Sequence, residues 1–545
     1  MQESQNNFTI RWAVLLVINF LILIAIYGFL NRFEDDYFKN IRYIVHVGIL
    51  ISFIALLCIH SFFNFKNSHP KIFNGALFIL VTVASLSWSN WGRFHGNSYY
   101  HYWELTHYNL GAKYFKELGY DDLYLAIVAA EKVRTPEITP KKIRNLKTNE
   151  IVLIRTIDSK IEQIPTKFTP ERWNDFVKDW TFFRSKLNDK RFERLLLDHG
   201  YNPPPTWTLT TNIVLSGISI FTNRTDVIVK ASAWIDVGIY LFIFTSIYFV
   251  FGKLTGIAAI VFFCANPFAI VDYTTGALLR QDWLLMIIMA CISLKKRWLI
   301  WAGIFIGIGT SLRIFPLLLM IFPAFQFLYI LMKEKKISIP HIKFGGSVIV
   351  TALILFSISI ALYGKENWIS FANNIQEHNK GVYTNHVAIR NLFLYEPEST
   401  GTAYSSMSGK YHEYWREYKE QRLTEFVPTY LALVFLWMFV SFRVFRKSSL
   451  LELVSIGSFL SFYISYPANY YLMYLMPILF LGNRESINRF LIFWVCLYMN
   501  IIHVFIPNTE NYFSIVSYAI CSLSLMMIFT HFTSLKTRKP INNLC

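Results

Sequence analysis

Cysteine is scarce in this chain and badly placed for cross-linking. Of six cysteines in 545 residues, Cys58, Cys264, Cys291, Cys496 and Cys521 fall within apolar runs and Cys545 is the last residue. That distribution argues for buried structural thiols and against a disulfide framework. Neither a Cys-x-x-Cys nor a His-Glu-x-x-His pattern occurs, so no dedicated metal site is expected, and no cofactor is implied. Motifs for binding RNA or DNA are also missing, and no internal repeat is evident. Acidic groups inside apolar runs are few, with Asp236 and Asp272 the exceptions. A carrier built on paired halves around a midplane site would show more of both features.

What the chain does have is apolar sequence in blocks. Hydrophobic residues make up 54% and aromatics 17% of it, and a soluble core would not gather them into runs of this length. Ala13 to Leu30, Tyr43 to Phe63 and Ile72 to Trp88 each supply about 17 to 21 mainly apolar residues, enough to cross about 30 Å of hydrocarbon. Similar runs recur throughout, and roughly 12 to 14 spans are expected. The first run reads as a span rather than a cleaved signal peptide, because it is long and followed by further spans. The fold class expected is therefore an all-α polytopic membrane protein.

The net charge of +17 does not point to nucleic acid, because the basic residues are divided among short loops between runs. Lys295 to Arg297, Lys333 to Lys336, Arg443 to Lys447, Arg484 to Arg489 and Lys536 to Lys539 sit where alternate spans end. The positive-inside rule puts these on the cytoplasmic side. Residues 89–205 and 364–425, the two long polar loops, then lie outside. An early acidic loop, Glu34-Asp35-Asp36, shares that face and reads as a solvated connection. Trp207 to Phe221 is only about 15 residues, short for a span. If it lies at the interface or dips back, the later spans alternate correctly, and Arg280 and Arg313 face outward with Asp282. The spans from Phe426 onward alternate regularly to the basic C-terminal segment.

Within the first long loop, HYWELTHYNLGAKYFKELGYDDLY at residues 101–124 concentrates carboxylates, histidines and tyrosines at a membrane face. The second part of that loop is basic and proline-containing. Its stretch from Phe168 to His199 reads as soluble helix: Thr169-Pro170-Glu171 opens it, and Trp173, Phe176, Trp180, Phe183 and Leu187 recur three or four apart. One apolar face implies packing on the membrane part or on its own loop. Ser399 to Ser408 is small and polar and reads as mobile.

Several short patterns now align in one order. Glu104, Tyr108, Ala112 and Gly119 to Tyr124 are followed by His199-Gly200-Tyr201-Asn202 and Pro203 to Pro205. Then come Gly276 to Trp283, Ala302 to Gly307, Ser311-Leu312-Arg313-Ile314-Phe315-Pro316 and Asn385 to Arg390. Together they resemble the GT-C superfamily of membrane glycosyltransferases, in particular the bacterial polyprenol-phosphate-mannose-dependent mannosyltransferases. The similarity covers about residues 73–395. It implies a GT-C-like bundle with two large extracytoplasmic loops. Residues 1–72 would be an extra N-terminal hairpin, 73–395 the catalytic module with a basic insertion at 132–198, and 396–545 the rest of the second outer loop and the C-terminal helices. This chain departs from the family in the two extra spans, in the insertion, and in carrying Glu104 where an aspartate is usual.

A sugar carried on a polyprenyl phosphate leaves as a lipid phosphate. Its transfer requires a carboxylate to take the acceptor's proton and cations to stabilise the departing phosphate. Glu104 is the candidate base, with His101 and His107 three residues either side to orient it or bind sugar; a plain interfacial ion pair is the alternative. Arg280 and Arg313 are the candidate phosphate cations, since guanidinium pairs bidentately with phosphate. Snorkelling to the interface, or a pair with Asp282, is their structural alternative. Tyr108, Lys113, Tyr201, His378 and Arg390 complete the candidate binding set. Lys113 can equally meet lipid headgroups, and Tyr201 with its prolines can simply shape the loop's return. Asp121 and Asp122 are alternative acids that also suit a helix start.

These residues lead to one expectation: a hexose, mannose by resemblance, moves from a polyprenyl-phosphate donor to a lipid or glycan acceptor outside a bacterial plasma membrane. Membrane lipids are the other expected partners, and nucleic acid is not one. The rivals are a transporter or flippase for a lipid-linked saccharide and a catalytically inactive GT-C-like scaffold.

Overall fold

The computed structural model describes residues 17, 20, 41–63, 69–95, 98–135, 140–269, 271, 275–380, 382–400, 411–481, 485–506 and 510–535. The expected first span, Glu34 to Asp36, Asp272 and the Ser399 to Ser408 segment beyond residue 400 lie outside the described residues. What is described is almost wholly helical. Among the described residues, eight helices are long and apolar enough to cross a membrane, and three shorter apolar helices accompany them. The chain is an all-α polytopic membrane protein.

Helices α1 (Ile41–Phe63) and α2 (Pro70–Trp88) open the described bundle. The first long loop follows, with α3 (Leu123–Arg134), a two-stranded antiparallel hairpin of β1 (Lys142–Arg144) and β2 (Ile151–Leu153), and α4 (Pro170–Arg184). As its spacing implied, α4 buries Phe176, Trp180 and Phe183, and it packs on α3. Thr169 caps its first turn by accepting from Arg172 N. Trp180 Nε1 donates to Glu131 Oε2 at 2.7 Å. The basic insertion is thus a folded lobe with an apolar interior. The hairpin inside it was not anticipated, since strands of three residues leave too short an alternation to read.

Helix α5 (Pro205–Ser219) forms the stretch after the loop. Asn212 Nδ2 in its middle donates to Ala112 O at 2.9 Å. The start of the next helix, α6 (Thr225–Phe251), is tied to the same loop by Thr225 Oγ1 donating to Asp179 Oδ1 at 2.6 Å. The middle of α5 and the head of α6 are thus both held by the first loop. Helix α6 is long and apolar enough to cross a membrane, and the shorter α7 (Lys253–Ala265) follows it.

Helix α7 ends at Ala265. Asn266 precedes Pro267 and adopts extended backbone (φ −72°, ψ 130°), because the proline ring crowds a helical residue before it. Residues 275–281 are irregular and lead into α8 (Asp282–Lys295), itself short, and α9 (Leu299–Leu312). Irregular backbone at this depth is tolerable only where protein buries it, and Ala277, Leu278 and Leu279 are buried.

Helix α9 packs along α10 (Ile339–Tyr363) through a Gly-x-x-x-Gly pair. A Cβ on Gly303 would stand 2.3 Å from Phe344 O, and one on Gly307 would stand 2.9 Å from Val348 O. Close backbone approach of this kind is how helices adhere where lipid removes the hydrophobic drive. Helices α11 (Lys365–Lys380), α12 (Tyr411–Phe445), α13 (Leu450–Gly457), α14 (Glu485–Phe505) and α15 (Glu510–Leu535) complete the bundle. Regular alternation after Phe426 is interrupted once, where Asn469–Phe480 forms a buried 3-10 helix containing Pro477. Pro467 and Pro477 break the run.

The lobe is pinned to the membrane part through Asp179, which is 6% exposed and pairs with Lys113 at 2.7 Å while accepting from Tyr114 Oη at 2.8 Å. Asp179→Ala leaves three groups without this carboxylate. With Lys113 about a third exposed, the expected loss is about 2 kcal/mol, below the fully buried range. The thermal midpoint in detergent should fall and proteolysis within residues 140–200 should quicken; an unchanged midpoint would remove Asp179 as the anchor.

Candidate functional site

The site forms where the loop segment 99–113 meets the irregular stretch 275–282. His101 N donates to Gly276 O at 2.9 Å, and His95 Nε2 donates to Thr275 O at 2.7 Å. Gly276 has φ +73°, and a Cβ there would lie 1.9 Å from Tyr99 O. Only glycine fits, for both conformation and space. Tyr99 stacks on Trp234 of α6, ring centroids 4.3 Å apart, which holds the loop against the first turns of that helix.

The helical stretch that carries the acid is not a plain α-helix. Tyr102–Leu105 passes into a π-helical turn, Thr106–Leu110, before Gly111–Lys113. Such turns carry an extra residue per turn and re-aim the side chains that follow. His101 caps the stretch: Nδ1 accepts from Glu104 N at 3.2 Å, so the imidazole grips the backbone of Glu104 and not its carboxylate. Burial, with His95 and Arg280 adding repulsion, lowers His101 to about 3. It is therefore neutral at physiological pH, with the proton on Nε2. His107 makes its hydrogen bond to Tyr124 Oη at 2.8 Å, within the loop's own core.

Glu104 and Arg280 meet. Arg280 Nε lies 3.5 Å from Glu104 Oε2, with Arg280 8% and Glu104 20% exposed. Neither atom has a hydrogen-bond partner. Arg280 also donates to Tyr108 Oη, and its guanidinium sits over the rings of Tyr108 at 4.6 Å and Tyr470 at 5.6 Å. Burial, with Glu104 adding repulsion and Arg280 opposing it, raises Tyr108 to about 12. Its phenol stays protonated. The Arg280 backbone N–H is held by Asp236 Oδ2 at 3.1 Å.

Arg313 stands beside this pair. Its guanidinium lies 5.6 Å from the Trp207 ring, Nη1 donates to Leu312 O at 2.9 Å, and Asp282 is within its electrostatic reach. Tyr201 packs on Tyr108 and Trp207, with Oη 2.7 Å from Thr208 Oγ1. Tyr201 is fully enclosed and shapes this wall. Asp282 Oδ1 accepts from Trp283 N at 2.7 Å.

The other expected residues are placed elsewhere. Lys113 goes to Asp179. Asp122 pairs with Lys167 of the insertion, and Asp121 is pushed up by burial and by Asp122; neither forms an ion pair with Arg280 or Arg313 among the described residues. Arg390 lies over the rings of Tyr430 and Tyr466 at 5.8 and 5.6 Å. Its segment is joined to the stretch before Tyr470 through Ile389 N to Phe462 O at 2.9 Å. His378 is on α11, and its side chain lies outside the described residues.

Two contributors went unassigned in the sequence. Asp236 stood out as an acid inside an apolar run, the usual sign of a built polar site, yet no partner for it could be named. Tyr470 had a weaker signal, a Tyr-rich segment between prolines in an otherwise apolar stretch. Among the described residues no three His, Cys, Asp or Glu side chains gather as a metal site.

Residues 231–465 match the model of glycosyltransferase family 87, a GT-C-type membrane family. This stretch, somewhat under half of the chain, is similar to membrane glycosyltransferases of GT-C type. The match takes in Asp236, Arg280, Asp282, Arg313 and Arg390, while Glu104 lies before it. No curated protein and no solved structure matches.

His101 supplies a pH test of this arrangement. Its folded value of about 3 lies below the unfolded 6.5, so the unfolded chain binds the extra proton between those values. Stability from this group is complete above about pH 6.5 and declines as pH falls toward 3. His101→Asn puts an oxygen near the Nδ1 position and keeps the cap. The variant should show a flatter dependence of thermal midpoint on pH between 6.5 and 4; an identical slope would mean that His101 is not buried as described.

Proposed function

We propose that this glycosyltransferase moves a hexose, mannose as the first choice, from a polyprenyl-phosphate donor to a lipid or glycan acceptor on the extracytoplasmic side of a bacterial plasma membrane. The observation that carries the reading is the Glu104 carboxylate, its Oε2 unpartnered and 3.5 Å from Arg280 Nε. A base and a phosphate cation are adjacent without saturating each other's hydrogen bonds.

In the step we assign, Glu104 accepts the proton of the acceptor hydroxyl as that oxygen bonds to the anomeric carbon. The bond from this carbon to the phosphate oxygen breaks, and its electron pair leaves on the lipid phosphate. Arg280 and Arg313 stabilise that charge in a site walled by Tyr108, Trp207 and Tyr470, where exclusion of water strengthens each interaction. Direct displacement inverts the anomeric centre. Tyr108, protonated, donates to sugar or phosphate; Asp236 and Gly276 position Arg280. Arg390, His378 and Asp282 are assigned to the edge of the same binding region, and residues 73–395 to the catalytic module. Asp236 accepts from the Arg280 backbone through Oδ2, while its Oδ1 has no hydrogen-bond partner.

The test is transfer of radiolabelled mannose from polyprenyl-phosphate-mannose to lipid extract by purified protein. Glu104→Gln should reduce the rate at least about 100-fold with the thermal midpoint retained, and Arg313→Lys should reduce it about tenfold through lost bidentate contact. Equal rates for wild type and Glu104→Gln would move the base elsewhere. No transfer by either, across several donor sugars, would overturn the donor class.

A further inference from the structure

A second cavity, of about 960 Å³, lies between helix α5, the start of α6, the end of α10 and the loop lobe. It shares no lining residue with the Glu104–Arg280 pair. Tyr108 faces Arg280, whereas its neighbour Asn109 faces this cavity. The wall beneath the lobe is apolar and includes Ile213, Ile220 and Leu362. Ile213 is 65% and Ile220 81% exposed, so this side opens toward bilayer chains.

The roof is polar and charged. Lys113, Lys116 and Arg172 line it against Glu117 and Asp179, three cations to two carboxylates. Lys113 pairs with Asp179 and Arg172 with Glu117, at 2.7 and 2.8 Å. Lys116 is exposed and forms no ion pair among the described residues. Asn109 is 5% exposed, and its Nδ2 has no hydrogen-bond partner. A buried amide without a partner is destabilising, and a ligand acceptor in the cavity would satisfy it. Glu117 Oε2 is the complementary unpartnered acceptor.

We propose that this cavity is a binding site for a diacyl phospholipid with a singly charged phosphodiester and a hydroxylated head, the chemistry of phosphatidylglycerol. The phosphate accepts from Asn109 Nδ2 and Lys116 Nζ and balances the one uncompensated positive charge. A head hydroxyl donates to Glu117 Oε2. The acyl chains run past Ile213 and Ile220 into the bilayer. The charged roof and the exposed apolar wall lie on the same cavity, which is the polarity an amphiphile of this kind matches. The basic insertion supplies Arg172 and Asp179, so part of its role is to roof this site. The inference stands apart from the assigned reaction, since none of its residues acts in that step.

Native mass spectrometry of the purified full chain, delipidated and given phosphatidylglycerol or phosphatidylcholine of matched acyl chains, tests it. One phosphatidylglycerol should be retained per chain, at least fivefold more often than phosphatidylcholine. Lys116→Glu, on an exposed residue, should lower that retention at least fivefold with the melting midpoint in phosphatidylcholine unchanged, and Asn109→Leu should do the same. Glu104→Gln should retain the lipid as wild type does, which separates this site from the catalytic reading. Equal retention of the two lipids, or retention indifferent to Lys116→Glu, would overturn the proposal. So would stoichiometric displacement of phosphatidylglycerol by polyprenyl phosphate, which would make the cavity a donor site instead.

Discussion

Arg280 is a buried guanidinium at a membrane boundary, and the surroundings of the site follow from what that charge needs. Removing such a cation from water costs several kcal/mol unless carboxylates, dipoles and aromatic faces replace the solvent. Here the replacement comes from three parts of the chain: Glu104 and Tyr108 of the first loop, Tyr470 of the late 3-10 helix, and Asp236 of α6 through the backbone. None of these is near Arg280 in sequence. The loop must therefore dock closely on the 275–282 stretch, which is why Gly276 lies against the Tyr99 carbonyl with no room for a side chain.

That docking requires irregular backbone at a depth where helices are the norm. The chain permits it by ending α7 at Asn266-Pro267 and by burying the connection beneath the loop. The π-helical turn at Thr106–Leu110 and the 3-10 helix at Asn469–Phe480 are departures of the same kind. All three border the Glu104–Arg280 region. Departures from regular helix gather where protein, rather than lipid, can satisfy the freed backbone groups.

The lobe formed by the insertion adds a second level of organisation. Its Asp179 ties Lys113, Tyr114 and Thr225 together, linking loop, lobe and the head of α6. Between the lobe, α5 and the head of α6 lies the large cavity whose wall includes the exposed Ile213 and Ile220.

The sequence by itself determined the fold class, because runs of some twenty apolar residues have one stable solution in a bilayer. It also determined the amphipathic α4, whose aromatic spacing needed no partner to be legible, and it offered Glu104, Arg280 and Arg313 as candidates. Local pattern suffices where the cause is local. Only the tertiary structure decided that Glu104 meets Arg280, that Lys113 goes instead to Asp179, that His107 goes to Tyr124, and that Asp236 and Tyr470 belong to the site. Each of those depends on which helices adjoin across the bundle. Contacts between residues 176 or 190 positions apart are set by packing and closure, and no period or spacing in one chain encodes them.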